Sequence, residues 1–383
     1  MGESIKSFDL IIVGAGPAGC AAAYTAASEG ISVLLLEEHP QIGIPVICAE
    51  GISRSTIKPY LDIKREWISQ DLDGAIIRGP FGDEFQIEYP KCGWVLDRRK
   101  FDAALANMAR KRGALVKTSA KAVSINGNEV TVEQSGSKIS YRFKFVIGAD
   151  GIGSRVGSWF GVDTRLGLND IAVCAEYLID NISIDERYAS LIFGHKYAPG
   201  GYAWIFPKSK TSANIGLGLS PIKTKKKAKA ILDDWIKKEF SDGVIKRRAF
   251  GGVPSTIFKD ISGKNFFLVG DAARLSDPLS GAGITNGIKS GVIAGRNVVR
   301  RIRGQKDTYY AEIKKNILNE IKFHLKVRNV YWRLNDDEYN RIFQIGKKVF
   351  DGKKVDDINI RQLVKEILML SPKIMLKWFG LVF

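Results

Sequence analysis

FDLIIVGAGPAGCAAAYTAASEGISVLLLE, residues 8–37, decides how the rest of the chain is read. Leu10-Ile11-Ile12-Val13 is an unbroken apolar run of the kind a parallel strand buried on both faces requires. Gly14-Ala15-Gly16-Pro17-Ala18-Gly19 follows it. Gly14 allows a tight exit from the strand, Gly16 lets the backbone approach a pyrophosphate, and Gly19 lets the next helix lie close on the sheet. That helix begins around Pro17 and Ala18, where its free N–H groups and positive dipole end suit an anion. A second apolar strand, Val33–Leu36, ends in Glu37, eighteen residues after Gly19. A carboxylate there can accept hydrogen bonds from ribose hydroxyls. Strand, glycines, helix, strand and acid fall in register, which predicts a dinucleotide site rather than a chance glycine-rich turn.

With 383 residues, 45% of them hydrophobic, the chain can bury a real core, which excludes a disordered protein. Its four cysteines, Cys20, Cys48, Cys92 and Cys174, form no CxxC pair, and with three scattered histidines no metal site is expected. The opening MGESIKSFDL lacks a charged segment followed by an apolar core, and Lys6 stands where a myristoylation signal would want Ser or Thr. No apolar stretch is long enough to span a bilayer, so a cytoplasmic location is expected. The formal charge of +17 attracts phosphates, whether on nucleic acid, anionic lipid or a cofactor. No nucleic-acid motif accompanies it, so no nucleic-acid partner is expected. The basic run Lys223–Lys229 reads as the solvated start of a helix over 225–240.

The remaining pattern alternates between two kinds of sheet. His39–Ser55 is a long polar loop, and loops of that length inside compact domains tend to be functional. Strands are expected over 74–79 and 84–89, with a separate short one at Trp94-Val95-Leu96 and a helix after Asp97. Asn126-Gly127 and Ser135-Gly136 signal hairpins, Phe143–Ile147 a buried strand, and a helix is expected near Ser154. Residues 171–253 read as mostly antiparallel strands. Phe266–Val269 then restores the buried-strand pattern, and Ser280-Gly281-Ala282-Gly283 opens a helix to about Arg301. The chain ends in the apolar run Ile374–Phe383, read either as an amphipathic membrane contact or as a last core helix.

Three separated segments now stand together: GAGPAG with Glu37, Gly148-Ala149-Asp150-Gly151, and Val269-Gly270-Asp271-Ala272-Ala273. In this order they resemble the FAD-binding signature of the para-hydroxybenzoate hydroxylase-like flavoproteins. The resemblance implies FAD as cofactor, Asp271 beside its ribityl and pyrophosphate region, and the Gly281–Gly283 turn with Ile284 under the isoalloxazine. Two further stretches, Pro45-Val46-Ile47-Cys48-Ala49-Glu50-Gly51 and Tyr202-Ala203-Trp204-Ile205-Phe206-Pro207-Lys208 with Gly216 and Gly218, resemble the geranylgeranyl reductase family and its archaeal digeranylgeranylglycerophospholipid reductases. This second resemblance implies flavin contacts from Cys48, Ala49 and Gly51, a phosphate contact from Arg98, an adenine contact from the backbone of Ala120, and a lipid headgroup contact from Arg328. It also implies that Cys48, Tyr202 and Trp204 take part in catalysis, and that Tyr202, Trp204 and Phe206 line a substrate slot.

Read from the residues alone, the alternating rings of Tyr202, Trp204 and Phe206 share one strand face, which is either core packing or the wall of an apolar slot. Cys48 is either a small buried side chain or a proton donor or redox partner. The expected fold is α/β, with a discontinuous Rossmann-like FAD-binding domain (1–70, 97–165 and 262–303). An antiparallel-sheet substrate domain is inserted (71–96 and 166–261), and a C-terminal helical region follows (304–383). The expected activity is FAD-dependent saturation of C=C bonds in geranylgeranyl chains of membrane ether lipids or their prenyl precursors. Alternatives are an aromatic monooxygenase or hydroxylase, and a non-catalytic prenyl-lipid carrier. With no second dinucleotide fingerprint, electrons are expected from a ferredoxin or from NAD(P)H binding transiently. Peripheral contact with the inner face of the cell membrane is expected, given the lipid substrate and the basic charge.

Overall fold

The apolar run at the start of the chain becomes the strand Lys6–Val13, and Val33–Leu36 pairs beside it in parallel, Leu10 opposite Val33 and Val13 opposite Leu36. The computed structural model describes residues 5–258, 260–355 and 361. Its contacts divide the chain into two units. One gathers the described residues of Met1–Val46, Arg98–Gly167 and Pro254–Lys322; the other gathers those of Ile47–Asp97, Leu168–Val253 and Phe323–Phe383. Residues 47–70, expected with the first unit, group with the second because Gly51–Ser53 is hydrogen-bonded to the strand Glu84–Leu96.

Among the described residues the first unit carries a seven-stranded sheet. Its parallel part runs Leu115–Lys117, Val33–Leu36, Lys6–Val13, Ser137–Gly148, Phe266–Leu268. Glu129–Gln134 pairs antiparallel with the first half of Ser137–Gly148, and Ala120–Asn126 pairs antiparallel with Glu129–Gln134, making two successive hairpins. Each hairpin closes on a two-residue loop with a positive φ, at Gly127 (+58°) in one and at Ser135 (+52°) and Gly136 (+77°) in the other. The helices Pro17–Ser28 and Ile284–Ile302 pack closely because both faces are small: a Cβ on Gly291 would lie 2.1 Å from the Ala18 carbonyl oxygen, and one on Gly295 2.8 Å from that of Ala22. Parallel strands that end together leave their carboxyl edge open to a ligand. Gly14, Glu37, Ala149 and Val269 all follow directly on that edge.

Among its described residues the second unit carries an eight-stranded sheet in the order Val244–Pro254, Ile171–Asp180, Ser212–Leu219, Tyr202–Ser209, Tyr188–Ile192, Ile68–Arg78, Glu84–Leu96, Gly51–Ser53. It is mixed rather than purely antiparallel, since Tyr188–Ile192 runs parallel to Ile68–Arg78. Trp94-Val95-Leu96 is not a separate strand. It is the end of a thirteen-residue strand from Glu84, whose register shifts opposite Leu72 and Gly74 and whose Lys91 takes φ +57°. Pro90 and Gly93 lie inside it, and the strand absorbs them as an irregularity without ending.

The helix over Ala228–Glu239 covers one face of this sheet, burying Ile231, Leu232, Trp235 and Ile236 against Ala175, Tyr177, Ala203, Ile205, Ile215 and Leu217. The basic run precedes that helix instead of starting it: only Lys229 lies within it, and Lys227 is its N-cap. Cations are disfavoured at the positive end of a helix dipole, which accounts for the late start. The helix Asp336–Phe350 begins with a capping box of Asn335 and Glu338 and packs Phe343 on Phe85, ring centroids 5.1 Å apart. Among the described residues no helix is long and apolar enough to cross a membrane. Ile374–Phe383 lies outside the described residues.

Candidate functional site

In the first unit the glycine turn is built for close approach. Gly14 takes φ +101°, and a Cβ there would sit 2.3 Å from the Ala149 carbonyl oxygen; a Cβ on Gly19 would sit 1.9 Å from that of Gly14. Gly16, the N-cap of the first helix, has nothing within 4 Å of where its Cβ would be. The two flanking glycines are thus filled by protein and the middle one faces open space, the arrangement a pyrophosphate needs. Glu37 is held beside it, Oε2 accepting from Ala15 N at 2.9 Å and Oε1 from His39 N at 3.0 Å, with His39 Nδ1 at 2.6 Å. Each carboxylate oxygen accepts more than one hydrogen bond, so Glu37 retains capacity for ribose hydroxyls. Ala18, next in the helix, has its Cβ against Gly270 and Gly287.

Asp271 lies in the same unit, in the 3-10 turn Gly270–Ala273, where Ser276 Oγ donates to its Oδ1. Burial raises its pKa, opposed by the Ser276 hydroxyl and the charge of Arg98. Gly283 caps the helix that starts at Ile284, and a Cβ there would be 3.2 Å from Ser276 Oγ and 3.3 Å from Asp271 Oδ1. Sequence reasoning missed the residue that shapes the intervening turn. Asp277 Oδ1 accepts from Leu279 N at 2.9 Å and Ser280 N at 2.8 Å, while its carbonyl accepts from Gly281 N at 2.8 Å. The Asp-Pro dipeptide was the available signal.

Two residues with implied cofactor contacts, Arg98 and Ala120, also bond within the protein, and so does Asp150. Arg98 is engaged in a bidentate pair with Asp102, both bonds 2.7 Å, one helical turn along the same helix. Its charge reaches Asp271, but the fork itself is occupied. Ala120 N donates to the Glu37 carbonyl at 2.8 Å, so an adenine contact cannot use that donor. Ser154 caps the helix Arg155–Trp159, its Oγ accepting from Gly157 N at 3.0 Å, and Asp150 supports that cap, accepting from Ser154 Oγ at 2.5 Å and Val156 N at 2.9 Å.

In the second unit the strand Tyr202–Ser209 separates its two faces cleanly. Ala203 and Ile205 enter the core under the helix, so Tyr202, Trp204 and Phe206 project from the other side. The Tyr202 and Trp204 rings are 5.8 Å apart. Trp204 lies flat across the neighbouring strand because two glycines leave room: a Cβ on Gly216 would be 2.7 Å from its ring and one on Gly218 3.7 Å. Phe206 touches Gly51 in the same way, 3.0 Å from the position of its Cβ. Arg328, by contrast, is 6% exposed with its guanidinium 4.1 Å from the centre of the Trp332 ring, and burial pushes its pKa down to about 10. It is packed into the second unit rather than held out towards a headgroup.

The aromatic face carries a polar network that no single motif announced. Glu176 Oε2 accepts from Trp204 Nε1 at 3.1 Å, and Arg247 Nη2 lies 3.4 Å from Glu176 Oε1 and 3.2 Å from Asn214 Oδ1. Asn214 Nδ2 donates to Glu50 Oε2 at 2.8 Å and to the Ala49 carbonyl at 3.3 Å, and Lys208 Nζ is 2.6 Å from Glu50 Oε2. Glu50 N in turn donates to Cys48 Sγ at 3.3 Å. The network therefore runs from the Cys48 loop to Trp204 within one unit. Burial pushes the Glu176 carboxyl up to about 7, against the Trp204 N–H and the Arg247 charge, so it holds a proton near neutrality. Cys174, beside it, is raised to about 12 by burial, by Glu176 and by Cys48, and stays a thiol.

Comparison with known proteins agrees with both units. The FAD dependent oxidoreductase family model matches residues 9–199, and the geranylgeranyl reductase catalytic domain model matches residues 170–252. The digeranylgeranylglycerophospholipid reductase of Methanocella arvoryzae is 35% identical over 394 residues, 98% of this chain and 100% of its own. That of Methanosarcina acetivorans is 36% identical over 388 residues, 96% of this chain and 94% of its own. The crystal structure of a geranylgeranyl bacteriochlorophyll reductase-like protein from Thermoplasma acidophilum superposes with a TM-score of 0.91 at 30% identity, covering 99% of this chain and 100% of that one. The open cradle at Gly16, the acceptor at Glu37 and the Asp271–Gly283 turn fit FAD, which is the cofactor. The chain belongs to the digeranylgeranylglycerophospholipid reductase family of FAD-dependent oxidoreductases.

Proposed function

We propose that the protein saturates C=C bonds of geranylgeranyl chains in membrane ether lipids or their prenyl precursors. The observation that carries this reading is the aromatic face of Tyr202–Ser209, with Trp204 laid flat over Gly216 and Gly218, inside the segment matched by the geranylgeranyl reductase catalytic domain. FAD, when bound and reduced, supplies the hydride. The protein's own residues then have three tasks. Tyr202, Trp204 and Phe206 present a flat apolar surface along which an isoprenoid chain can lie and from which water is kept away. An isolated alkene has no carbonyl to polarise, so alignment matters more than charge stabilisation. The second carbon needs a proton, and Cys48 is assigned as its donor, with Glu176 a proton-holding group on the same face.

Electrons come from outside, from a ferredoxin or a nicotinamide nucleotide. The net charge of +17 suits docking against an anionic bilayer, where such a lipid resides. The test is anaerobic incubation of dithionite-reduced protein with digeranylgeranylglyceryl phospholipid, followed by mass spectrometry. Product heavier by pairs of hydrogens supports the reading, and unchanged lipid with FAD still bound contradicts it.

A further inference from the structure

Glu50 is 2% exposed and sits at φ +68°, in the left-handed region that a residue with a Cβ occupies only when its surroundings hold it there. Those surroundings are three strands of one sheet. Lys208 from Tyr202–Ser209 and Asn214 from Ser212–Leu219 lie 2.6 Å and 2.8 Å from Glu50 Oε2, and Arg247 from Val244–Pro254 lies 3.9 Å from it. The backbone on either side is tied as well. Asn214 Nδ2 reaches the Ala49 carbonyl, Leu96 N donates to the Glu50 carbonyl at 2.9 Å, and Lys208 Nζ donates to the Leu96 carbonyl at 2.6 Å. Cys48 is only partly buried, and the Glu50 N–H points at its sulfur.

We infer that Glu50 is a positioning residue: its carboxylate, clamped by Lys208 and Asn214, anchors the left-handed turn that holds the Cys48 thiol in place. Anchoring the thiol is independent of what the enzyme reduces; only the part Cys48 plays in reduction rests on the reductase reading. The strain supports the assignment, because a left-handed turn is ordinarily given to glycine, and here the chain keeps a buried acid that reaches three strands.

The test uses the FAD-loaded protein and iodoacetamide, with alkylation at each cysteine followed by peptide mass spectrometry. Glu50→Gly leaves the turn conformationally free and removes only the anchor, while Glu50→Gln keeps an acceptor for Asn214 and Lys208. The expected result is a rise of about tenfold in the Cys48 rate for E50G, with E50Q close to wild type and buried Cys20 unreactive in all three. Lys208→Met, which removes the clamp from the opposite side, should raise the Cys48 rate as well. A Cys48 rate unchanged in both E50G and K208M, or a rise matched at Cys20, overturns the inference. Lipid turnover is not the readout, so failure of the reductase reading leaves this result interpretable.

Discussion

Lys208 Nζ lies 2.6 Å from Glu50 Oε2, so residues 158 positions apart close one ion pair, with the Glu50 side chain 2% and the Lys208 side chain 16% exposed. The pair joins the loop that carries Cys48 to the strand that carries Trp204. A buried pair is costly to break from one side, because the remaining charge loses its nearest counter-ion; Asn214 and, at 3.9 Å, Arg247 would still face Glu50. Lys208→Met should therefore destabilise the protein by about 3 kcal/mol in chemical denaturation, whereas the double change E50Q/K208M should cost less than K208M alone. Additive losses would show that the two side chains do not depend on each other.

Glu176 gives a pH dependence with a definite sign. Its carboxyl is raised from the ordinary 4.5 to about 7, chiefly by burial. Between those values the folded protein keeps a proton that the unfolded chain has lost, so stability falls as pH rises through that window and levels off above it. Arg247, Glu50 and the Trp204 N–H face the carboxyl, and none of them reverses the shift. Glu176→Gln removes the slope. Relative to wild type it should gain on the order of 3 kcal/mol between pH 4.5 and 7 in paired melts. Parallel profiles for the two proteins would contradict the assignment.

Two glycines of the first turn, Gly16 and Gly19, should separate by phenotype. Gly16→Val adds atoms only to open space, so the FAD-free protein should melt like wild type while the FAD dissociation constant rises about a hundredfold. Gly19→Ala would put a Cβ 1.9 Å from the Gly14 carbonyl oxygen and should lower the melting temperature of the FAD-free protein itself. Calorimetry with and without FAD distinguishes the two.

Trp204 should govern the product rather than the cofactor. Trp204→Phe leaves Glu176 Oε2 without its indole donor, a loss of about 1–3 kcal/mol, and Gly216→Ala puts a Cβ 2.7 Å from both the Trp204 ring and the Ala175 carbonyl oxygen, displacing the ring and straining the strand pair. Both proteins should stay yellow, with FAD content like wild type, and should change how many double bonds are saturated per lipid. Equal loss of flavin in these variants and in G16V would remove the division between a gripping turn and a shaping strand.

What was legible in the sequence was local. Gly14, Gly16, Gly19 and Glu37 declare themselves because glycine freedom and a strand-end acid act within one supersecondary unit, and the hairpins at Gly127 and Gly136 follow from turn chemistry alone. The strands expected over 84–89 and at Trp94-Val95-Leu96 are one irregular strand, and an irregular strand and two separate strands share the same sequence punctuation. Glu176, Asn214 and Arg247 carried no signal at all. A charged residue in a strand is ordinarily solvated, and only the three-dimensional register of Ile171–Asp180, Ser212–Leu219 and Val244–Pro254 brings these side chains to one face. Glu50 and Lys208 each stood inside a recognisable motif, yet their pairing depends on long-range sheet order that no spacing rule encodes.

As a reductase, this flavoprotein gives its electrons to an alkene and not to oxygen. The most direct measurement is the flavin absorbance of the anaerobically reduced protein on addition of digeranylgeranylglyceryl phospholipid. The oxidised flavin spectrum should return without air, in step with the appearance of saturated lipid. A flavin that stays bleached until oxygen is admitted, with the lipid unchanged, would contradict it.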